Sequence, residues 1–187
     1  MRICAGEAKG RLLKFPAGSR QRPTTDFLKE ALFNILGSPA GQSFLDLFAG
    51  SGSVGLEALS RKAGEAVFVE IRKELYGVIW KNAALCGYLE KCRIVQGDVQ
   101  TVLQNLNHRK CRFDVIFADP PYNRGFIGRT LKALEQNPVL REDGVMVFQH
   151  SIREYPSPLP EGWFVADQRK YGENGLTFIR MDKDGGA

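Results

Sequence analysis

Metal-ligand spacing is absent from this sequence. Its 187 residues include two histidines, His108 and His150, and four cysteines, Cys4, Cys86, Cys92 and Cys111. No C-x-x-C occurs, so a zinc site is not expected. Long apolar runs are missing too, and with them any membrane-spanning helix. The stretch Met1–Glu7 carries no apolar segment of the kind a secretory signal needs, which points to the cytoplasm. In that compartment Cys86 and Cys92 read as reduced, small hydrophobic residues. Internal repeats and low-complexity segments are also lacking. What remains has the size and composition of one globular domain, with 43% hydrophobic and 25% charged residues, and we expect a monomer.

Charge is unevenly placed. The formal net charge is +5. Through residue 25 the chain holds Arg2, Lys9, Arg11, Lys14, Arg20 and Arg22 against Glu7 alone. The rest is balanced, with 20 basic and 20 acidic side chains. A basic arm on a neutral body suits a polyanionic partner, most simply nucleic acid, and suits a solubilising tail equally well.

The pattern divides the chain into an arm or small hairpin over 1–24, a domain over 25–181 and a tail over 182–187. A helix is predicted to start at Thr25 or Asp26, either of which can cap it, and to stop at Gly37 and Pro39. From residue 43 strands alternate with helices. Strands are predicted at 43–48, 66–69, 93–95, 113–118 and 145–149. Such alternation with apolar strands means a parallel sheet covered by helices on both faces. The end breaks the rhythm. Segments 163–171 and 176–181 are joined only by Gly172-Glu173-Asn174-Gly175, too short for anything but an antiparallel hairpin.

Between the first strand and the next helix lies Phe44-Leu-Asp-Leu-Phe-Ala-Gly50-Ser-Gly52-Ser-Val-Gly55, a G-x-G-x-x-G loop. Its glycines let backbone approach a ligand at a helix N-terminus. Glu70 ends the second strand, where a carboxylate can accept from a ribose diol. NAD and S-adenosylmethionine both fit this much. Asp46 tilts the balance, because a carboxylate beside the loop opposes a pyrophosphate and attracts an ammonium. Its alternative role is to tie the loop through backbone amides. Asp98, after the third strand, is placed to accept from an adenine amine or to cap the following helix.

The fourth strand ends in Asp119-Pro120-Pro121-Tyr122. Asp119 offers carboxylate oxygens and Pro120 a carbonyl without an N–H. The prolines stiffen the segment, and Tyr122 offers a flat face for a planar base. Acceptors beside an aromatic platform suit a planar group with an exocyclic amine. A rigid turn is the plainer alternative.

Together Asp46–Gly55, Glu70, Asp98 and Asp119–Tyr122 resemble the motifs of class I S-adenosylmethionine-dependent amino-methyltransferases. The closer resemblance is to the RsmD family of bacterial 16S ribosomal RNA guanine-N2 methyltransferases. It extends through Arg22–Asn34, Leu45–Leu59 and Tyr171-Gly172, with Glu173-Asn174 where an acidic-Thr pair is expected. The resemblance implies an α/β, Rossmann-like class I methyltransferase fold, its seven-stranded sheet mostly parallel with a terminal antiparallel hairpin. It implies S-adenosyl-L-methionine held by Asp46, by Phe48, Ala49, Gly50, Ser51 and Gly52, and by Glu70, Asp98 and Val99. Asp119, Pro120 and Tyr122 become the catalytic group, and guanine 966 of 16S ribosomal RNA, free or in the small subunit, the acceptor. Arg2, Lys9, Arg11, Arg20 and Arg22 are the expected RNA contacts. A DNA adenine or cytosine amino-methyltransferase, a small NAD-dependent oxidoreductase and a non-catalytic RNA-binding module remain the competing readings.

Overall fold

A computed structural model describes residues 1–15 and 25–182. Seven strands make one mixed sheet. Two compact units divide the chain, residues 1–98 and 99–187. Among the described residues no helix is long and apolar enough to cross a membrane.

The first unit opens with a tight hairpin. Ile3 and Leu13 donate to the carbonyls of Arg11 and Met1, and Gly10 donates back to Ile3. Arg2 and Leu12 form an antiparallel bridge. Ile3, Cys4 and Ala8 are buried, so this part of the basic arm belongs to the body. Helix α1 (Asp26–Leu36) follows, with the Thr25 hydroxyl accepting from Leu28 N–H at 3.2 Å. Gly37, at φ 77°, ends it. Then come β1 (Ser43–Leu47), α2 (Ser53–Ser60), β2 (Glu65–Glu70), α3 (Lys73–Cys86) and β3 (Cys92–Gln96). The strands run parallel in the order β3-β2-β1. All of β1 and nearly all of β2 are buried at consecutive residues, which requires cover on both faces. All four cysteines are free, and burial pushes the Cys92 thiol up to about 12.

A buried charge cluster fastens the hairpin to α1 and α2. Glu57 of α2 accepts from Cys4 N–H at 2.7 Å, Ala5 N–H at 2.9 Å and the Arg61 guanidinium at 2.9 Å. Lys29 of α1 is wholly buried. Its ammonium donates to the Arg2 carbonyl and lies 3.4 Å from Asp26 and 3.9 Å from Glu57. Burial raises the Asp26 carboxyl, but the Arg2 amide and the Lys29 charge outweigh it and hold that group below its ordinary value.

The second unit contains α4 (Val99–His108), β4 (Phe113–Ala118), α5 (Phe126–Gln136), β5 (Leu140–Ser151), β6 (Trp163–Tyr171) and β7 (Asn174–Met181). Its strand order is β4-β5-β7-β6. Strand β5 runs parallel to β4, and β7 runs antiparallel to both β5 and β6. Several strand bounds shift from the sequence expectation by a residue or two, and two of the differences matter most. Strand β5 begins five residues before Val145, because Leu140 pairs with Phe113 and the pairing resumes at Val145 with Val115. The turn-like Glu142-Asp143-Gly144 is therefore an irregularity inside a strand. A side chain at Gly144 would strike Leu140 and the Arg141 carbonyl. The terminal hairpin is also tighter than its four-residue link suggested. Tyr171 pairs with Asn174, leaving Gly172-Glu173 as the turn, with Gly172 at φ 61° as two-residue hairpins favour.

Candidate active site

In the first unit the glycine loop connects β1 to α2. Phe48 adopts φ 64°, a left-handed conformation that a bulky residue holds only under external constraint. The constraint is visible: Ala49 N–H donates to the Val69 carbonyl at 2.9 Å, and Gly52 N–H donates to the Ala49 carbonyl at 2.8 Å. Gly52, at φ 79°, begins α2. A Cβ there would lie 3.0 Å from Ile79, and one at Gly55 would run into the Phe68 ring. These two glycines bring α2 down onto the sheet, whereas Gly50 meets nothing so close and serves the turn itself.

Carboxylates bracket the loop. Asp46 is 2% exposed and accepts from Gly55 N–H at 3.1 Å. Tying the loop is therefore part of its work. Glu70 accepts from Gly50 N–H at 2.9 Å and from the Arg72 amide and guanidinium at 2.9 and 3.2 Å. A carboxylate offers about four acceptor positions, so one remains, and the Arg72 side chain is partly exposed. Gly97 N–H donates to the Glu70 carbonyl at 3.1 Å and carries the chain to Asp98. Asp98 is exposed and directly precedes α4, and Val99 is that helix's buried first residue.

Asn82 of α3 holds the loop from below. Its amide donates to the Ser51 carbonyl at 2.9 Å and to the Lys14 carbonyl at 3.0 Å, while its oxygen accepts from Lys14 N–H at 2.7 Å. In the sequence Asn82 is a polar residue on the apolar face of α3, with no local sign of the loop it holds.

In the second unit the Asp119-Pro120-Pro121-Tyr122 segment leaves β4. Gln149 of β5 donates through Nε2 to Asp119 Oδ2 at 3.1 Å and to Tyr122 Oη at 3.3 Å. Tyr122 donates its phenolic proton to Asn174 Oδ1 at 3.1 Å. Burial first, then the Asp119 charge, pushes the Tyr122 phenol up, so it stays protonated and remains a donor. Beyond the segment, the Glu154 carboxylate accepts from the amides of Asn123 and Gly125, which fixes the following loop. Gln149 is 3% exposed, and its Oε1 is buried without a hydrogen-bond partner. Leaving such a carbonyl unpaired costs about 1–3 kcal/mol.

Gln149 and Asn174 were missed in the sequence. The signal for Gln149 was an amide closing the apolar run Val145–Phe148. Asn174 stands in the turn that departs from the expected acidic-Thr pair, and it orients Tyr122.

Two of the expected RNA contacts already have protein partners. Arg2 lies 3.4 Å from Asp26, and Arg11 donates to the Leu85 carbonyl near the end of α3 at 2.6 Å. Lys9 is exposed. Arg20 and Arg22 lie outside the described residues.

A family model described as conserved hypothetical protein 95 matches residues 1–180. The chain belongs to that family. It is the RsmD family that the motifs resemble. The putative rRNA methyltransferase YlbH of Bacillus subtilis is 35% identical, over 96% of this chain and 98% of that protein. Ribosomal RNA small subunit methyltransferase D of Escherichia coli K12 is 30% identical, over 99% and 92%. Among solved structures, the putative methyltransferase yhhF of Escherichia coli superposes with a TM-score of 0.85 at 30% identity, covering 97% of this chain and 98% of its own. The family match therefore runs through the hairpin, the glycine loop, the Asp-Pro-Pro-Tyr segment and nearly all of β7.

Proposed function

We propose that this protein transfers a methyl group from S-adenosylmethionine to the exocyclic N2 amine of a guanine in 16S ribosomal RNA, position 966, acting in the cytoplasm as a monomer. The observation that carries the reading is the Asp119–Tyr122 segment, held rigid by Gln149, Asn174 and Glu154, in a chain of this family.

The donor set fits the cofactor. Two buried carboxylates on neighbouring strands, Asp46 and Glu70, favour a cationic ligand with a diol and disfavour a pyrophosphate. Asp46 and the Phe48–Gly52 loop would hold the methionine portion, Glu70 the ribose, and Asp98 with Val99 the adenine. When bound, S-adenosylmethionine supplies an electrophilic methyl on a sulfonium.

The chain's own residues supply position. Asp119 and the Pro120 carbonyl accept from the amine's two N–H groups and so aim its lone pair. Tyr122, fixed through its hydroxyl, presents its ring to the base, which has left its stack. The amine nitrogen, so aimed, would take up the methyl group that the sulfonium supplies and would then release its surplus proton to solvent. Alignment rather than a strong base is what such a transfer needs.

The RNA backbone is met by the basic arm through Arg2, Lys9, Arg11, Arg20 and Arg22. Deleting the arm is a poor test, because Glu57 and Ser60 accept its amides. Replacing Lys9, Arg20 and Arg22 with Gln should flatten the slope of log K against log salt by about 2 units for a single-stranded target.

Transfer of labelled methyl to total RNA and DNA, followed by nucleoside analysis, tests the activity. N2-methylguanosine in 16S RNA is expected. Label confined to DNA adenine or cytosine would overturn the assignment.

A further inference from the structure

We propose that Gln149 is a positioning residue of the methyl-acceptor site, fixing Asp119 and Tyr122 relative to one another at the cost of its own unsatisfied carbonyl. The proposal rests on the reading of Asp119 and Tyr122 given above.

A primary amide has two N–H groups. In Gln149 both are engaged, one with the Asp119 carboxylate at 3.1 Å and one with the Tyr122 oxygen at 3.3 Å. Tyr122 donates in turn to Asn174 and also lies against the Asp119 carboxylate, so the four side chains form one connected cluster. Turning the amide over would set Oε1 against Asp119 Oδ2, acceptor against acceptor, and would take the amide donor away from that carboxylate. A buried, unpaired carbonyl works against folding, so packing alone favours an apolar side chain of the same volume. What Gln149 provides that Leu or Met does not is two donors from one nitrogen, aimed at a carboxylate and a phenol that come from the same short segment.

The strand explains why the amide is rigid. Gln149 pairs with Leu176 across the β5–β7 ladder, its neighbour Phe148 pairs with Ala118 of β4, and the residue is almost wholly buried. A buried side chain on backbone held in the β5–β7 ladder, next to a residue held in the β4–β5 ladder, steadies whatever it touches. The Asp119–Tyr122 segment has left the ladder and needs such an anchor.

The role separates from a purely structural one by experiment. In Gln149→Leu and Gln149→Met the fold is expected to melt close to the wild-type temperature, because losing the orphaned carbonyl offsets the two hydrogen bonds given up. Steady-state methylation of 16S RNA fragments should show kcat lowered roughly 10- to 100-fold, with KM for S-adenosylmethionine unchanged. In an Asp119→Ala background, adding Gln149→Leu should lower kcat by clearly less than it does alone, because only Tyr122 is then left for the residue to position. Lowered melting temperatures with wild-type kcat, or losses that multiply in the double variant, would overturn the proposal. Failure of the wild-type protein to methylate RNA would instead overturn the functional reading. Calorimetric binding of S-adenosylmethionine by all variants checks that each is folded.

Discussion

The two units handle buried polar groups in different ways. In residues 1–98 the carboxylates Asp46, Glu57 and Glu70 are surrounded mainly by backbone amides, from Gly55, Cys4, Ala5, Gly50 and Arg72. Among the described residues of the second unit, Glu154 accepts from backbone amides, but the most buried polar groups are joined to one another through their side chains. Gln149, Asp119, Tyr122 and Asn174 form one chain, and Gln168, Thr177 and His150 form another. An amide donor survives almost any substitution at its own residue. A side-chain donor does not. The glycine-loop unit is thus built to tolerate change around its acids, and the second unit depends on the identity of a few side chains.

Breaking the first arrangement means removing an acid. Glu57→Ala leaves Lys29 buried with its charge poorly matched and two amides without an acceptor, so unfolding should become easier by about 3–5 kcal/mol, read from a denaturant melt. A melt like the wild type's would show that the cluster holds nothing. For activity, the contrast sharpens at Asp119 and Glu70. Asp119→Ala should cost on the order of 100-fold in turnover with cofactor binding intact. Glu70→Ala should weaken S-adenosylmethionine by about 1.5–3 kcal/mol in calorimetry. If the two variants exchanged these effects, the division of labour between the units would be wrong. Tyr122→Ala is expected to weaken use of the RNA by roughly 1–3 kcal/mol, the scale of a lost stacking partner.

The smallest effect expected is one of pH. Burial is the main force on His150, whose ring lies between the Ser151 carbonyl and the Thr177 hydroxyl, and it pushes the imidazole below its ordinary value. The unfolded chain therefore takes up this proton first as pH falls. The contribution is whole above about pH 6.5, an unperturbed histidine's value, and declines as pH drops from there through the lower folded value. Asp26, also lowered, loses its contribution only below the ordinary carboxylate range near 4. Mild acid should thus loosen the second unit before the first, a sequence that hydrogen exchange at pH 7, 5.5 and 4 can follow. His150→Gln should remove the earlier step.

Much of this was legible in the residues. Alternating apolar strands and helices, Thr25 as a cap and Gly37 as a stop all stand where local chemistry put them. The glycine loop and the Asp-Pro-Pro-Tyr segment announce themselves because their residue types have few other uses. What escaped depends on contacts between distant residues. Lys29 gives no local sign that it is buried, since its partners lie in the hairpin and in α2. Asn82 and Gln149 each sit among apolar neighbours, and only the approach of a loop turns them from odd core residues into anchors. The irregularity at Arg141–Gly144 looked like a loop because glycine after two acids usually is one.

The hairpin's fastening also sets an order of events during synthesis. The amides of Cys4, Ala5 and Ala8 bond to side chains 52 or 53 residues further along, and Lys14 waits for Asn82, 68 residues on. At about 5–20 residues per second a ribosome takes roughly 3–10 s to make the first of those partners. For that interval the basic segment has no α2 to close upon and sits beside a large polyanion, the ribosome itself. Docking is then a late, long-range closure, the slow kind of contact, made by some of the earliest residues of the fold to be synthesised.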